Sequence, residues 1–321
     1  ASWAAFLAVF AVALLVASCS GGSGGSGSSG DDDGAAEVTT APTAGTTTGP
    51  PFIPPAGAPE QLSAWGQLEV RDGRLALADG VTPYTINTPL FSDYADKLRT
   101  VRIPDGVGPA AFAADGPFEF PVGTVVTKTF YYPEPGDGAA AGDRPRVAKG
   151  AQSTGVVASL DLDEVRLVET RVLVHREDGW HGLPYVWDEA ESEATLARTG
   201  AIVPLSLVDG DAEVPLTYVV PDVNQCGSCH VTNHSSGQLE TLGLQARHLN
   251  TDVDLGAGLA PQLEQWSERG LLSGAPAADD APRAAVWSDD TAPLESRARA
   301  YLDINCGHCH NPDGAADTSS I

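Results

Sequence analysis

Hydrophobic and polar residues alternate through much of the chain between residues 61 and 216, a pattern typical of β-strands. Two short apolar-alternating runs, Leu68–Val70 and Leu75–Leu77, flank Asp72-Gly73. An Asp-Gly pair between such runs predicts a tight β-hairpin. The β-branched and aromatic residues over 124–132 predict a longer strand that Pro133 ends. This part of the chain therefore predicts a β-rich domain.

The run over residues 165–175 predicts another strand, with Thr170 and Val172 on one face and Glu169 and Arg171 on the other. The turn residues 177–179 then lead into an aromatic strand over 180–187. We expect a short helix over 189–198. We interpret the Gly-rich and Pro-containing residues 134–157 as a surface loop.

The pattern changes near residue 217. A short strand over 217–220 is followed by segments with apolar residues at helical spacing. One predicted helix covers 261–269 and stops at Gly270. Another begins with Thr291 as its N-cap and continues to Asn305.

The N-terminal segment looks like an export signal. Residues 1–18 are apolar or small and uncharged, and they end at Cys19 in a sequence similar to a bacterial lipobox. We therefore predict a lipoprotein signal peptide over 1–18, lipidation of Cys19, and a disordered Gly/Ser/Thr/Pro tether over 19–58. An uncleaved transmembrane helix is the alternative. Either interpretation places the folded part outside the cytoplasm, in the periplasm or on the cell surface.

The net charge of the chain indicates which classes of partner it can bind. The chain has 18 Lys and Arg against 43 Asp and Glu, a formal net charge of −25. Such a balance disfavours binding to the nucleic-acid backbone and favours a basic partner protein. The chain also contains no methionine. We therefore expect it to lack its true N-terminus, and internal methionine cannot serve as a metal ligand.

Two copies of the pattern Cys-x-x-Cys-His carry the candidate chemistry. The first signature is Cys226–His230, with Cys226, Cys229 and His230, and the second is Cys306–His310, with Cys306, Cys309 and His310. This is the attachment pattern of c-type haem, in which two thiols bond the porphyrin and the following imidazole binds the iron. The sequence therefore predicts two covalently bound haem c groups, with His230 and His310 as proximal ligands.

Other interpretations of the four cysteines are a four-thiolate zinc site, a redox Cys-x-x-Cys pair and structural disulfides. Their wide separation and the His after each pair favour haem attachment. For the distal ligand of the first iron, His248 is the leading candidate and His234 the second. Only eleven residues follow His310. We therefore expect the C-terminal end of the second haem domain to be missing.

The chain also resembles an uncharacterised family of bacterial dihaem c-type cytochromes that are often lipoproteins. The segments that carry this resemblance are Asn87–Lys97, Val101–Pro104, Phe120–Thr124, Lys128–Phe130, Glu169–Arg171, Gly179-Trp180, Leu183–Trp187, Asn224–Cys226, Gln245–Asn250, Gly270–Leu272, Tyr301-Leu302 and Asn305-Cys306. The resemblance implies an exported β-rich domain ahead of a haem-binding region. It does not imply a physiological role.

Together these observations predict an α+β multidomain protein. A mainly-β domain over 59–217 precedes a mainly-α, cytochrome c-like dihaem region over 218–321. The predicted function is electron transfer by an exported, lipid-anchored carrier rather than catalysis. The alternatives are a dihaem peroxidase-like enzyme and a β-domain binding module with a redox appendage, in which Trp180, Tyr185 and Trp187 could form an aromatic platform.

Overall fold

β-Strands make up most of the regular structure in this computed structural model, which describes residues 52–136 and 142–318. The strands are β1 (Leu68–Arg71), β2 (Arg74–Leu77), β3 (Thr82–Pro83), β4 (Asp96–Arg102), β5 (Ala110–Ala111), β6 (Val125–Pro133), β7 (Arg146–Ala148), β8 (Ser159–Asp161), β9 (Val165–Arg176), β10 (Gly179–Trp187), β11 (Ala194–Leu196), β12 (Ala201–Asp209), β13 (Ala212–Val220), β14 (Asp252–Asp254), β15 (Leu259–Pro261) and β16 (Leu272–Ser273). The helices are α1 (Gly227–His230), α2 (Ala246–Leu249), α3 (Gln262–Glu268) and α4 (Leu294–Cys306). The predicted signal peptide over 1–18, Cys19 and most of the tether over 19–58 lie outside the described residues.

The main sheet is antiparallel and six-stranded, in the order β11-β10-β9-β6-β4-β3. Its central strands are covered on both faces, so both sets of alternating side chains in β6 and β9 are largely buried. A sheet of β1, β2 and β8 and a sheet of β7, β12 and β13 accompany it, together with the small pairs β14-β15 and β5-β16.

Three hydrophobic cores pack on this sheet. The first contains Trp65 and Tyr185, and the third joins Phe130 and Tyr132 to β12 and β13. The second contains Val126 of β6, Trp266 of α3 and Ile304 of α4. Residues on either side of the predicted boundary at 217 therefore share one core. The division into domains at that position stays a prediction.

The hairpin predicted at Asp72-Gly73 is confirmed. β1 and β2 pair antiparallel with Arg71 opposite Arg74, and Asp72 and Gly73 have φ values of 51° and 72°. Two consecutive positive φ values match a type I′ turn, which suits the twist of the flanking strands. The strands predicted at 124–132, 165–175 and 180–187 are present as β6, β9 and β10.

Replacing Gly73 with Ala is expected to lower the free energy of unfolding by about 1 kcal/mol, because a Cβ atom is disfavoured at positive φ. No atom lies within 4 Å of the position that this Cβ would take, so the cost comes from backbone strain alone. Urea denaturation measures it. Gly136→Ala is the matched control, since that site is also open but lacks the positive φ; equal effects at both sites would contradict the explanation.

Two local predictions are wrong. The helix expected over 189–198 is instead a turn followed by edge strand β11, because Asp188 accepts bonds from the backbone and hydroxyl of Ser192 and closes the turn. The helix expected from Thr291 begins at Leu294. The Thr291 hydroxyl donates to Asp289 Oδ1 at 2.6 Å, so it does not cap the helix.

The predicted fold class is also wrong for its second half. The described residues of 218–321 do not form a mainly-α, cytochrome c-like region. They contain four helices, of which only α4, with 13 residues, exceeds seven residues. Gly, Pro, Ser and Asp interrupt the intervening segments, and their apolar residues pack onto the main sheet rather than onto other helices. The described protein is mainly β.

Candidate functional site

The two signatures lie against each other, although 81 positions separate the residues in one of their contacts. The Cys309 thiol lies 3.5 Å from the Ser228 carbonyl oxygen. The Asn311 side-chain amide donates to the Thr232 carbonyl at 3.2 Å, and the His234 N–H donates to the Asp313 carbonyl at 2.7 Å. The fold therefore brings both signatures into one site.

Different elements present the signatures. Cys226 occupies the N-cap of α1, just after β13, and His230 ends that helix. Cys306 is the last residue of α4, and the rest of the second signature forms the following turn. The four signature cysteines form no disulfide with one another. Burial raises the pKa of the Cys226 and Cys309 thiols, so both favour the protonated form.

The His230 ring is held in one orientation. Its Nδ1 lies 2.7 Å from the Glu240 carbonyl oxygen, which can only accept, so Nδ1 carries the proton. Burial, with the nearby Lys128 charge, lowers the pKa of His230 to about 4. The imidazole is therefore neutral near pH 7 and leaves Nε2 with its lone pair. Imidazoles that bind metals commonly donate their other ring N–H to a carbonyl in this way.

A cavity of about 260 Å³ lies between the first signature and the main sheet, and we call it the sheet cavity. Its lining includes Leu244 and Ile304, and both side chains also belong to the second core. Cys226, Cys229 and His230 of the first signature line it as well. His230 is half-buried and lines this cavity.

Four cationic side chains line the floor of the sheet cavity, which is formed by β4, β6 and β9. They are Lys97, Arg99, Lys128 and Arg171. Arg99 pairs with Lys128 across β4 and β6, and Lys128 pairs with Arg171 across β6 and β9. We call Arg99, Lys128 and Arg171 the cation row. Like charges directly opposite each other in a sheet are unfavourable.

One carboxylate compensates one end of the row. The Arg171 guanidinium contacts both oxygens of Glu169, at 3.0 Å from Nε and 2.5 Å from Nη2. Tyr218 also donates its hydroxyl to Glu169 at 2.6 Å. Although burial alone would lower it, the pKa of Arg171 is raised by Glu169. Arg171 therefore stays charged.

Among the described residues, Lys97 and Lys128 lack a carboxylate partner of this kind. Burial, followed by the charges of Arg99 and Lys128, lowers the pKa of Lys97 to about 6. Burial, followed by Arg171 and Arg99, lowers the pKa of Lys128 to about 7. Both shifts have the same causes, which are burial and the neighbouring positive charges.

A second cavity, of about 610 Å³, adjoins the second signature. Its lining includes His310 and Pro312 after α4, Leu302 on α4, and the ion pair of Arg247 with Asp303, whose atoms lie 2.6 Å apart. This cavity is separate from the sheet cavity.

His248 and His234 do not line the sheet cavity. His248 is buried on α2, with Nε2 3.3 Å from Asp303 Oδ2, and burial lowers its pKa to about 4. It lines a different cavity that includes His308. His234 is exposed. Their assignment as distal ligands stays a prediction.

The aromatic residues named for a binding platform are divided between cores. Tyr185 is fully buried in the first core and accepts a bond from the Trp65 indole N–H at 2.7 Å. Trp187 is buried in the same core. Trp180 packs against the second core and stacks on His175. They form no shared surface.

The cofactor prediction, two covalently bound haem c groups, requires correction. Within residues 52–136 and 142–318 no set of three or more His, Cys, Asp and Glu side chains is placed to hold a metal ion. The helical region that was expected to surround each group is also missing from these residues. The same side-chain geometry does not support the four-thiolate zinc alternative.

Comparison with known proteins adds no relative: no protein-family model, no curated protein and no solved structure matches this chain. Across the ranges that the structure describes, no helix combines the length and apolar character needed to span a membrane.

Sequence reasoning missed the cation row. The signal was present, because charged residues are rare in strands buried on both faces, and β4, β6 and β9 each carry at least one. The strand order and register that bring the three together were not available from the sequence pattern.

Proposed function

We propose that the protein transfers electrons and that its redox centre lies in the sheet cavity beside His230. The observation that carries this proposal is the neutral His230 imidazole, which the Glu240 carbonyl orients at 2.7 Å and which faces the cavity. Such an imidazole can bind a metal through Nε2 without losing a hydrogen bond.

The chain offers few protein ligands here. His230 is one nitrogen donor, and the described residues provide no set of three metal-binding side chains. A metal bound by His230 would therefore need a carrier that supplies its remaining ligands. A carrier of this class supplies a one-electron couple when bound. The proposal concerns this one cavity and does not reinstate two covalently bound haem c groups.

The residues of the chain have defined roles in this proposal. The Glu240 carbonyl accepts a hydrogen bond from His230 and so fixes the tautomer that is protonated at Nδ1. Leu244 and Ile304 present apolar surface that excludes water from the carrier. The contact between Cys309 and Ser228 places the second signature next to the first, at 3.5 Å.

Export and anchoring belong to the proposal as well. We propose that Cys19 anchors the protein to a membrane and that its partner is a basic redox protein, because the chain carries a net charge of −25. Attraction between opposite charges accelerates association and weakens as salt screens it.

The test is a visible and redox titration of the chain purified from a bacterial host that exports it. We expect a visible absorbance band that changes reversibly with a one-electron reductant. His230→Ala is expected to abolish or shift this band, because the axial nitrogen is lost. His181→Ala is the matched control, since His181 is exposed and pairs with Asp178 away from the cavity. A colourless protein, or identical spectra for the wild type and His230→Ala, would contradict the proposal.

A further inference from the structure

The cation row is a cluster of buried and half-buried side chains with too little negative charge nearby. Arg99, Lys128 and Arg171 stand side by side on three adjacent strands, and Lys97 lies two positions from Arg99 on the same face. Lys97 and Arg99 are only 8% and 6% exposed. Glu169 forms an ion pair with Arg171, which lies two positions further along β9. Arg99 and Lys128 have no carboxylate paired with them in the part of the chain that the structure describes.

Neither the Arg99 nor the Lys128 side chain makes a hydrogen bond or ion pair within the described ranges. Lys97 donates to its neighbour Ala95's carbonyl at 2.9 Å, and Lys97 and Lys128 both lie over the Phe130 ring, at 5.8 and 5.2 Å from its centre. Aromatic contact and one carbonyl do not neutralise buried cations. The side chains that lack partners line the sheet cavity.

The rest of the sheet cavity has the opposite character. Ile86, Leu90, Leu244 and Ile304 give it apolar walls. A ligand that suits both parts has an apolar body and at least one anionic group at its edge. A small inorganic anion would satisfy the cations but leave the apolar walls uncovered.

We propose that Lys97, Arg99 and Lys128 form a buried anion site that binds the carboxylate groups of a ligand whose apolar body fills the sheet cavity. The inference deepens the proposed function, since the redox carrier would be one such ligand. It rests on the cation row and not on His230. A carboxylate-bearing ligand of the cavity could be the redox carrier itself or a free small carboxylate, and the experiment separates these two sources.

The probe is metal-free protoporphyrin IX, which carries two carboxylates, added to the full chain purified free of pigment. Binding is followed by porphyrin fluorescence and by the melting temperature of the protein. We expect protoporphyrin IX to bind and to raise the melting temperature. Its dimethyl ester, which has the same apolar body without the charges, is expected to bind at least about tenfold more weakly. Equal affinity of the acid and the ester would overturn the proposal.

Lys128→Met and Arg99→Met are each expected to weaken protoporphyrin IX binding at least about tenfold. Without ligand, both variants are expected to melt no lower than the wild type, because they remove buried like charges. Lys149→Met is the control, because Lys149 pairs with Asp209 outside the cavity. If both cavity variants fold and bind the probe as tightly as the wild type, the anion site is refuted.

Succinate, a small dicarboxylate, distinguishes the two sources. Displacement of the porphyrin by succinate would assign the site to a free carboxylate, whereas no displacement would assign it to the carboxylates of the larger ligand. Because the probe carries no metal, its binding tests the cation row and not a bond between His230 and a metal. If the wild-type protein is colourless in the redox titration but binds the metal-free probe, the proposed function is refuted and the anion site is not.

Discussion

Replacing Glu169 with Gln is expected to destabilise the protein by about 3 kcal/mol, since it removes the fully buried carboxylate that pairs with the half-buried Arg171. The Glu169 side chain is fully buried, and it accepts bonds from both Arg171 and Tyr218. The Gln side chain keeps the shape but loses the charge. Arg171 then stands uncompensated beside Lys128. Urea denaturation, followed by far-ultraviolet circular dichroism, measures the loss.

Two further variants separate this explanation from a general effect of removing a carboxylate. Glu295→Gln is the control, because Glu295 is exposed and pairs with Arg299 one helical turn away, so no measurable change is expected. The double variant Glu169→Gln with Arg171→Met removes both charges and is expected to recover much of the lost stability. A loss below about 1 kcal/mol for Glu169→Gln would show that solvent already screens the pair.

Local structure in the β-rich part could be predicted because short-range chemistry decides it. Asp72-Gly73 adopts two positive φ values that few other residue pairs tolerate, and this fixes the β1-β2 hairpin. The alternation over β9 and the turn at Gly179, with a φ of 115°, likewise give the β9-β10 hairpin. In each case the sequence pattern and the local backbone preference agree.

The region after 217 could not be predicted in the same way. Its helical signals were real for α3 and α4, but two helices do not make a helical domain. Only Ala300 and Ile304 are buried along α4, so the helix contributes one narrow stripe to a core that the main sheet dominates. Tertiary packing therefore decides the fold class here, and the spacing of apolar residues does not show which element a helix packs against.

In the candidate site, too, some features could be predicted from the sequence and others could not. The identity of its cysteines and of His230 follows from the spacing of the two signatures. The role of the Glu240 carbonyl and the existence of the cation row could not be predicted in this way. The first depends on a loop and the second on the register of paired strands. Arg99, Lys128 and Arg171 become neighbours only through the pairing of β4, β6 and β9.

Trp266→Ala is expected to destabilise the protein by about 3–5 kcal/mol, because it removes a large, fully buried side chain and leaves a cavity. Trp266 lies in the second core, where its ring meets Tyr84 edge to face at 5.9 Å. Tyr84 also lines the sheet cavity, so the loss weakens the wall behind the candidate site. Thermal and urea denaturation measure the change.

The conservative variant Trp266→Phe tests whether packing or hydrogen bonding carries this effect. The Trp266 indole N–H has no hydrogen-bond partner among the described residues, so its removal costs nothing in bonds. Phe retains much of the apolar volume, and we expect a loss of at most about 1.5 kcal/mol. Leu259→Ala, at a side chain that is 75% exposed in β15, is the control and should change stability little. Comparable losses for Ala and Phe at position 266 would mean that the ring's polar edge, rather than its volume, supports the second core and the cavity wall built on it.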